Sequence, residues 1–320
     1  MTAKPSCLCI AAALTGLAQT AAAAYPERPV RLIVPLAASG AMDTVARSLA
    51  IKLSESLGQS VVVDNRGGGG GSVGAELVRH AAADGYTVIM MSASSVIHPL
   101  MYKADYDAVR DFAAISQVTS QPYVVVVNPA VPAKTLQELV SYTKANPNRL
   151  NYASAGNGSL IHLTGELFKV VTATEMTHIP YKGIGAAYPD LISGQVQLTF
   201  GSIISALPQI RAGRMRALAV TGPARAKPLP EVPSAAEVGV KGFVMTQWYG
   251  MQAPAKTPAA VIDRLNREIR KALDIPEVLS RLVADGAEAQ PSSPQQFREH
   301  LVAERNKWTG VIRQAKIKGD

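Results

Sequence analysis

The chain has 320 residues, 48% of them hydrophobic and 18% charged, a balance that suits a globular protein rich in Ala and Val and excludes disorder or a coiled coil. Its formal net charge of +8 is spread along the sequence with no run of Lys or Arg interleaved with aromatics, so nucleic acid is excluded in favour of an acidic small molecule. Both cysteines, Cys7 and Cys9, fall within the first 24 residues, which removes disulfides, zinc–thiolate sites and thiol catalysis from everything downstream.

Residues 1–24 read as a signal peptide: Lys4, an apolar stretch over 8–17, then Ala22, Ala23 and Ala24 before Tyr25. The mature chain is expected to start at Tyr25 and to be soluble in the periplasm. No later apolar stretch reaches the roughly 20 residues of a membrane span without a charge, proline or glycine break.

From there, short β-branched runs alternate with longer segments of helical period, the pattern of α/β units around a mostly parallel sheet. A strand over 30–34 leads to a helix over 44–57, whose Val45, Leu49, Leu53 and Leu57 form one stripe before Gly58. Strand 61–64, helix 73–83 and strand 87–91 follow. A second set opens with strand 123–127 and a helix over 136–145 behind a Thr135/Glu138 capping box. Then come strand 151–153, a helix from 159 to about 171, strand 177–179, helix 187–193, strand 196–200, a helix ending at Gly213 and strand 215–220. Residues 223–233, with Pro223, Pro228, Pro230 and Pro233, read as an extended segment crossing the surface. After Trp248 the chain reads as helical, with Thr257-Pro258 and Ser293-Pro294 starting helices over 259–273 and 295–315 that pack back on the first lobe.

Several candidate sites compete. Gly69, Gly71 and Gly74 satisfy G-x-G-x-x-G between a strand and a helix, yet a run of five glycines makes that match cheap, and a flexible turn near a cleft is the better reading. His162 and Glu166 share a helix face but lack a third ligand, so no metal is expected and His162 reads as a helix-start or packing residue. No G-x-S-x-G elbow presents a serine, so no catalytic residue is assigned; an exported α/β hydrolase stays as the alternative. Two small-residue turns share a different design: residues 35–43, and Ser154 with residues 155–159, each join a strand to a helix and hold no Lys or Arg. Unpaired amides and partial positive charge at a helix start let an anion approach such a turn directly, so each is a candidate carboxylate cradle.

At these turns the sequence resembles the Bug family, the extracytoplasmic solute receptors of tripartite tricarboxylate transporters. The resemblance runs from Tyr25 onward: Tyr25-Pro26-Glu27-Arg28-Pro29, Asp84-Gly85-Tyr86-Thr87, Tyr152-Ala153-Ser154-Ala155-Gly156-Asn157-Gly158-Ser159 with His162-Leu163, Pro180-Tyr181-Lys182-Gly183, Gly194-Gln195-Val196, Arg216-Ala217-Leu218-Ala219-Val220-Thr221 and Trp248-Tyr249-Gly250. It implies a two-lobed Venus-flytrap periplasmic binding protein of type II, each lobe a mostly parallel sheet flanked by helices. Residues 25–124 and 250–320 would form domain 1 and residues 125–249 domain 2. Such a receptor needs no cofactor and no catalysis, acts as a monomer, and passes a small carboxylate to membrane permease subunits; a sensory binding protein that presents its ligand is a further alternative.

Carried over, Leu36, Ala37, Ala38, Ser39, Gly40 and Asp43 supply the first-lobe grip. Ser154, Ala155, Gly156, Asn157, Gly158 and Ser159 face them, with Tyr181 and Lys182 nearby. Lys182 either pairs with a second ligand carboxylate or is a solvated loop lysine. The first turn departs from the family, which usually has a proline and paired glycines where this chain reads Ala37-Ala38-Ser39-Gly40. Gly201 stands where the family often has an acid, which disfavours an amino-acid ligand. Hinges are expected near residues 120–126 and 247–253.

Overall fold

The computed structural model describes residues 25–36, 38, 41–284 and 287–317; the expected signal peptide over 1–24 lies outside the described residues. The first lobe is built from β1 (Val30–Val34), α1 (Ala41–Leu57), β2 (Val61–Asn65), α2 (Ser72–Arg79), β3 (Thr87–Ser92) and α3 (Ala93–Met101). A long β4 (Phe112–Val127) leads into α4 (Leu136–Ala145), β5 (Asn151–Ser154), α5 (Leu160–Thr172), β6 (Thr177–Pro180), α6 (Ile184–Ser193), β7 (Leu198–Ser202), α7 (Ile203–Arg211) and β8 (Arg216–Val220). The chain returns through β9 (Thr246–Pro254) to α8 (Ala259–Leu273), α9 (Pro276–Ala284), β10 (Glu288–Ala289) and α10 (Pro294–Ala315).

The sheet runs β2-β1-β3-β9-β4-β7-β5-β6, with β8 and β10 also on β4. The outer pairs β1–β2, β1–β3, β5–β6 and β5–β7 are parallel, as strand–helix alternation demands. The strands at the junction are not: β9 runs antiparallel to β3 and β4, and β4 antiparallel to β7 and β8. Along β4 the partner changes once. Phe112 to Pro122 lie against β9, and Tyr123 to Val127 lie between β7 and β8.

Four readings from the sequence need correction. The stretch after Trp248 is strand, not helix, through Pro254; most of β9 is buried, so no alternation of apolar and polar residues marks it. β4 begins eleven residues earlier than the expected strand at Tyr123, because its first half carries Ser116, Gln117 and Thr119 at buried positions. α3 was hidden by Pro99 inside it, and α9 went unread. Thr257 does not cap α8; its hydroxyl donates to the Pro254 carbonyl at 2.8 Å. Ser293 does cap α10, in a reciprocal box with Gln296. The proline-rich stretch wraps the second lobe, where Ala226, Leu229 and Val232 are buried with residues of α6, α7 and β8.

Helix α10 is not confined to the first lobe, since it packs on β4, α3 and α5. At its centre Glu304 is 6% exposed and accepts from Trp308 Nε1 at 3.0 Å and from Trp248 Nε1 at 3.4 Å, with Lys307 as its ion partner. These are the chain's two tryptophans, both fully buried. Truncation of Glu304 strands two buried indole donors, each costing about 1–3 kcal/mol, so Glu304→Ala is expected to lose about 2–4 kcal/mol and Glu304→Gln clearly less. Urea unfolding followed by tryptophan fluorescence measures both.

Candidate functional site

The register of the sheet decides where the strand-to-helix turns point. Ser92, at the carboxyl end of β3, pairs with Tyr249 near the start of β9, and Ser202, at the carboxyl end of β7, pairs with Tyr123 where β4 enters the second lobe. Because β1 and β2 are parallel to β3, and β5 and β6 to β7, all six carboxyl ends meet at the junction of the lobes. That is where open α/β sheets bind ligands.

The first turn leaves β1 at Val34. Leu36 is 44% exposed and Ala38 is exposed, while Ala37, Ser39 and Gly40 lie outside the described residues. Asp43 is buried in the first turn of α1, and its carboxylate accepts from Arg47 Nε and from Asn65 Nδ2, each at 3.0 Å. Asn65 Nδ2 also donates to the Leu36 carbonyl at 3.2 Å, and Asn65 Oδ1 accepts from Arg47 at 3.0 Å. Asp43 therefore ties the turn down through Asn65, a residue the sequence reading passed over. Arg47 and Arg66, which flank the turn, are paired with Asp43 and Asp64.

The glycine run explains itself by close packing. A Cβ on Gly74 would stand 2.8 Å from Pro35 Cβ, and Gly70 lies against the His98 ring. His98 stacks on Tyr102 with centroids 4.8 Å apart. Across the junction, a Cβ on Gly158 would stand 2.9 Å from Met101 Cε and 3.1 Å from Tyr102 Oη. A continuous line of contacts, from Pro35 through His98 to the Gly158 turn, thus joins the two candidate cradles.

The second turn spends much of its polarity on itself. Ser154 is fully buried; its Oγ accepts from the Gly156 amide at 3.0 Å and lies 2.6 Å from His178 Nε2. The Ser159 amide donates to the Gly156 carbonyl, and the Gly158 amide to His162 Nδ1 at 3.0 Å. The Ser159 hydroxyl caps α5 by accepting the His162 amide. Helix geometry leaves the Leu160 and Ile161 amides, unread in the sequence, without acceptors inside α5. Asn157 is exposed at the tip.

Tyr181 braces the turn from β6: its amide donates to the Ser154 carbonyl and its hydroxyl to Asp190 at 2.8 Å. Burial, with Asp190 beside it, pushes the phenol up to about 12. Lys182 is exposed next to it. Glu166 turns away from His162 and accepts from Tyr152 Oη at 2.6 Å and Lys169 Nζ at 3.0 Å. Ser154 and His178 stand at nucleophile–base distance, but the hydroxyl is sealed from solvent and bonded to the turn, and burial pushes His178 down to about 4, which leaves a weak base.

Removing the Asn65 amide releases the Leu36 carbonyl and one lone pair of Asp43. Asn65→Ala is expected to cost about 1–2 kcal/mol in urea unfolding and to speed amide exchange at Leu36, Ala38 and Asp43 while leaving β5 and α5 protected.

Residues 45–317 match the family model described as the tripartite tricarboxylate transporter family receptor. The chain is 38% identical to protein BugT of Bordetella pertussis, over 94% of either chain. Among solved structures it is similar to the periplasmic binding protein BugD, with 34% identity, a TM-score of 0.69, and 92% of this chain and 100% of that one covered. It is also similar to an R. palustris protein solved with adipate, with 36% identity, a TM-score of 0.72, and 92% and 99% covered.

Proposed function

We propose that this chain, which belongs to the Bug family of tripartite tricarboxylate transporter receptors, captures a small organic dicarboxylate between its lobes and delivers it to the permease subunits of such a transporter. The observation that carries this reading is the meeting of all six strand carboxyl ends at one junction, with Leu36 tied through Asn65 to Asp43 at the end of β1 and residues 154–159 at the end of β5. Neutral donors of the two turns bind one carboxylate on this reading. Hydrogen bonds to a charged group contribute roughly 1.5–3 kcal/mol each. Micromolar binding needs about 8 kcal/mol beyond the cost of association, so four to six such bonds from the two lobes suffice.

The relative solved with adipate supports a dicarboxylate as the ligand class. Exposed Lys182, beside Tyr181, is the group for the second carboxylate. Closure would turn about Pro122–Tyr123, where β4 changes partners, and about the segment just before Thr246. Residues 247–253 are paired within β9 and move with the first lobe. By the same logic the domain boundaries belong at residues 122–123 and 245–246, a few residues before the 124–125 and 249–250 expected from the sequence. The receptor works as a periplasmic monomer after removal of residues 1–24, and N-terminal sequencing of the exported protein is expected to start at Tyr25.

A thermal-shift screen of mono- and dicarboxylates tests the core of the proposal: a ligand at a hundred times its Kd adds about 2.7 kcal/mol and raises Tm. Adipate or a dicarboxylate of similar length should be the strongest stabiliser and be recovered chemically unchanged; its turnover would favour the hydrolase instead. Lys182→Ala should weaken a dicarboxylate about tenfold and a monocarboxylate little. Gly158→Ala, with φ at +70° and Met101 and Tyr102 against the new methyl, should weaken both by at least about tenfold in calorimetry.

A further inference from the structure

We infer that His162 and His178 are positioning residues of the second-lobe turn, and that the turn keeps its binding shape only while both imidazoles are neutral, so that acid releases the ligand. The inference rests on the reading of residues 154–159 as half of the carboxylate site.

Its basis is geometric. His162 comes from α5 and His178 from β6, and their rings stack with centroids 3.9 Å apart and planes 7° from parallel. Tyr152 of β5 also stacks on His178, at 5.0 Å. Each imidazole holds one end of the turn. His162 Nδ1 accepts the Gly158 amide at 3.0 Å, and His178 Nε2 meets Ser154 Oγ, which in turn accepts the Gly156 amide. A proton on His162 Nδ1 would set two donors against each other at the Gly158 contact. A proton on each ring would set two cations face to face.

The surroundings favour the neutral forms. Burial is the main cause holding both rings below the ordinary histidine range. Lys169 on α5 acts in the same direction on both, and charge on His162 opposes charge on His178. Glu166, also on α5, opposes this at His162, although its carboxylate is already bonded to Tyr152 and Lys169. On the other side of β6, Asp190 of α6 is engaged by Tyr181, and Tyr102, just past α3, lies beyond Gly158. As pH falls from the usual histidine value of 6.5 towards about 4, any state that frees the rings takes up protons first, so the bonded turn loses stability across that window.

The test has two arms. In the ligand-free protein, the NMR shift of the Gly158 amide should follow the His162 ring titration. In calorimetry with adipate, wild type should lose about tenfold more affinity between about pH 7.5 and about pH 4.5 than His162→Asn, whose side-chain oxygen can accept the Gly158 amide but cannot titrate; the ligand's own ionisation is common to both. His162→Asn should bind within about threefold of wild type at the higher pH, and His178→Gln should flatten the profile in the same sense. Intact binding with equal profiles in wild type and variants overturns the inference, as does tighter binding in acid, which would make the imidazolium a plain cation attracting the ligand. A Gly158 amide that stays fixed while His162 titrates overturns it whatever adipate does. Adipate that fails to bind at either pH, with the amide response present, counts instead against the dicarboxylate reading.

Discussion

One strand governs this molecule. β4 is shared by both sheets, paired first with β9 and then with β7 and β8, and its antiparallel contacts orient everything around it. Because β3 and β7 must run against the strands at the junction, their carboxyl ends arrive there from opposite sides, and the parallel strands beside them follow. The ends of those strands are therefore brought to one junction by the sheet's register. The same strand joins the lobes, while β9 remains hydrogen-bonded to β3 and the first half of β4.

Within that frame several charges near the junction and in the core are paired inside the fold. Arg47 and Arg66 are held by Asp43 and Asp64, Lys169 by Glu166, and Lys307 by Glu304. On the proposed reading, recognition falls largely to backbone donors at helix starts, which suit an anion and are insensitive to small changes in side chains. It also explains the many small residues at the turns: Gly70, Gly74 and Gly158 lie where another side chain already fills the space. The cost of such a design is that the shape of each turn must be held from behind, by Asn65 and Asp43 on one side and by the stacked histidines on the other.

The contrast between the two turns shows what sequence reading could reach. Their small residues, position after a strand and lack of cations are local, so both were legible as candidate cradles. The bonds that hold them are not local. Asn65 reaches Leu36 over 29 positions, and His178 reaches Ser154 over 24. His162 was read as a helix-start or packing residue, which is half of what it does: its amide is capped by Ser159 while its ring accepts from Gly158. The amides of Leu160 and Ile161 carry no side-chain signal at all.

By itself the sequence determined the alternation of strands and helices, the stripe of α1, the cap of α10 and the family of the chain, because periodicity, capping and motif order are properties of neighbouring residues. The tertiary structure alone decided that residues 246–254 are a strand, that α10 spans both lobes, and which side chains hold the amides of the second turn. Those outcomes depend on partners far along the chain: β9 is a strand because β3 and β4 supply its hydrogen bonds, and a turn's free donors are known only once the side chains behind it have taken theirs.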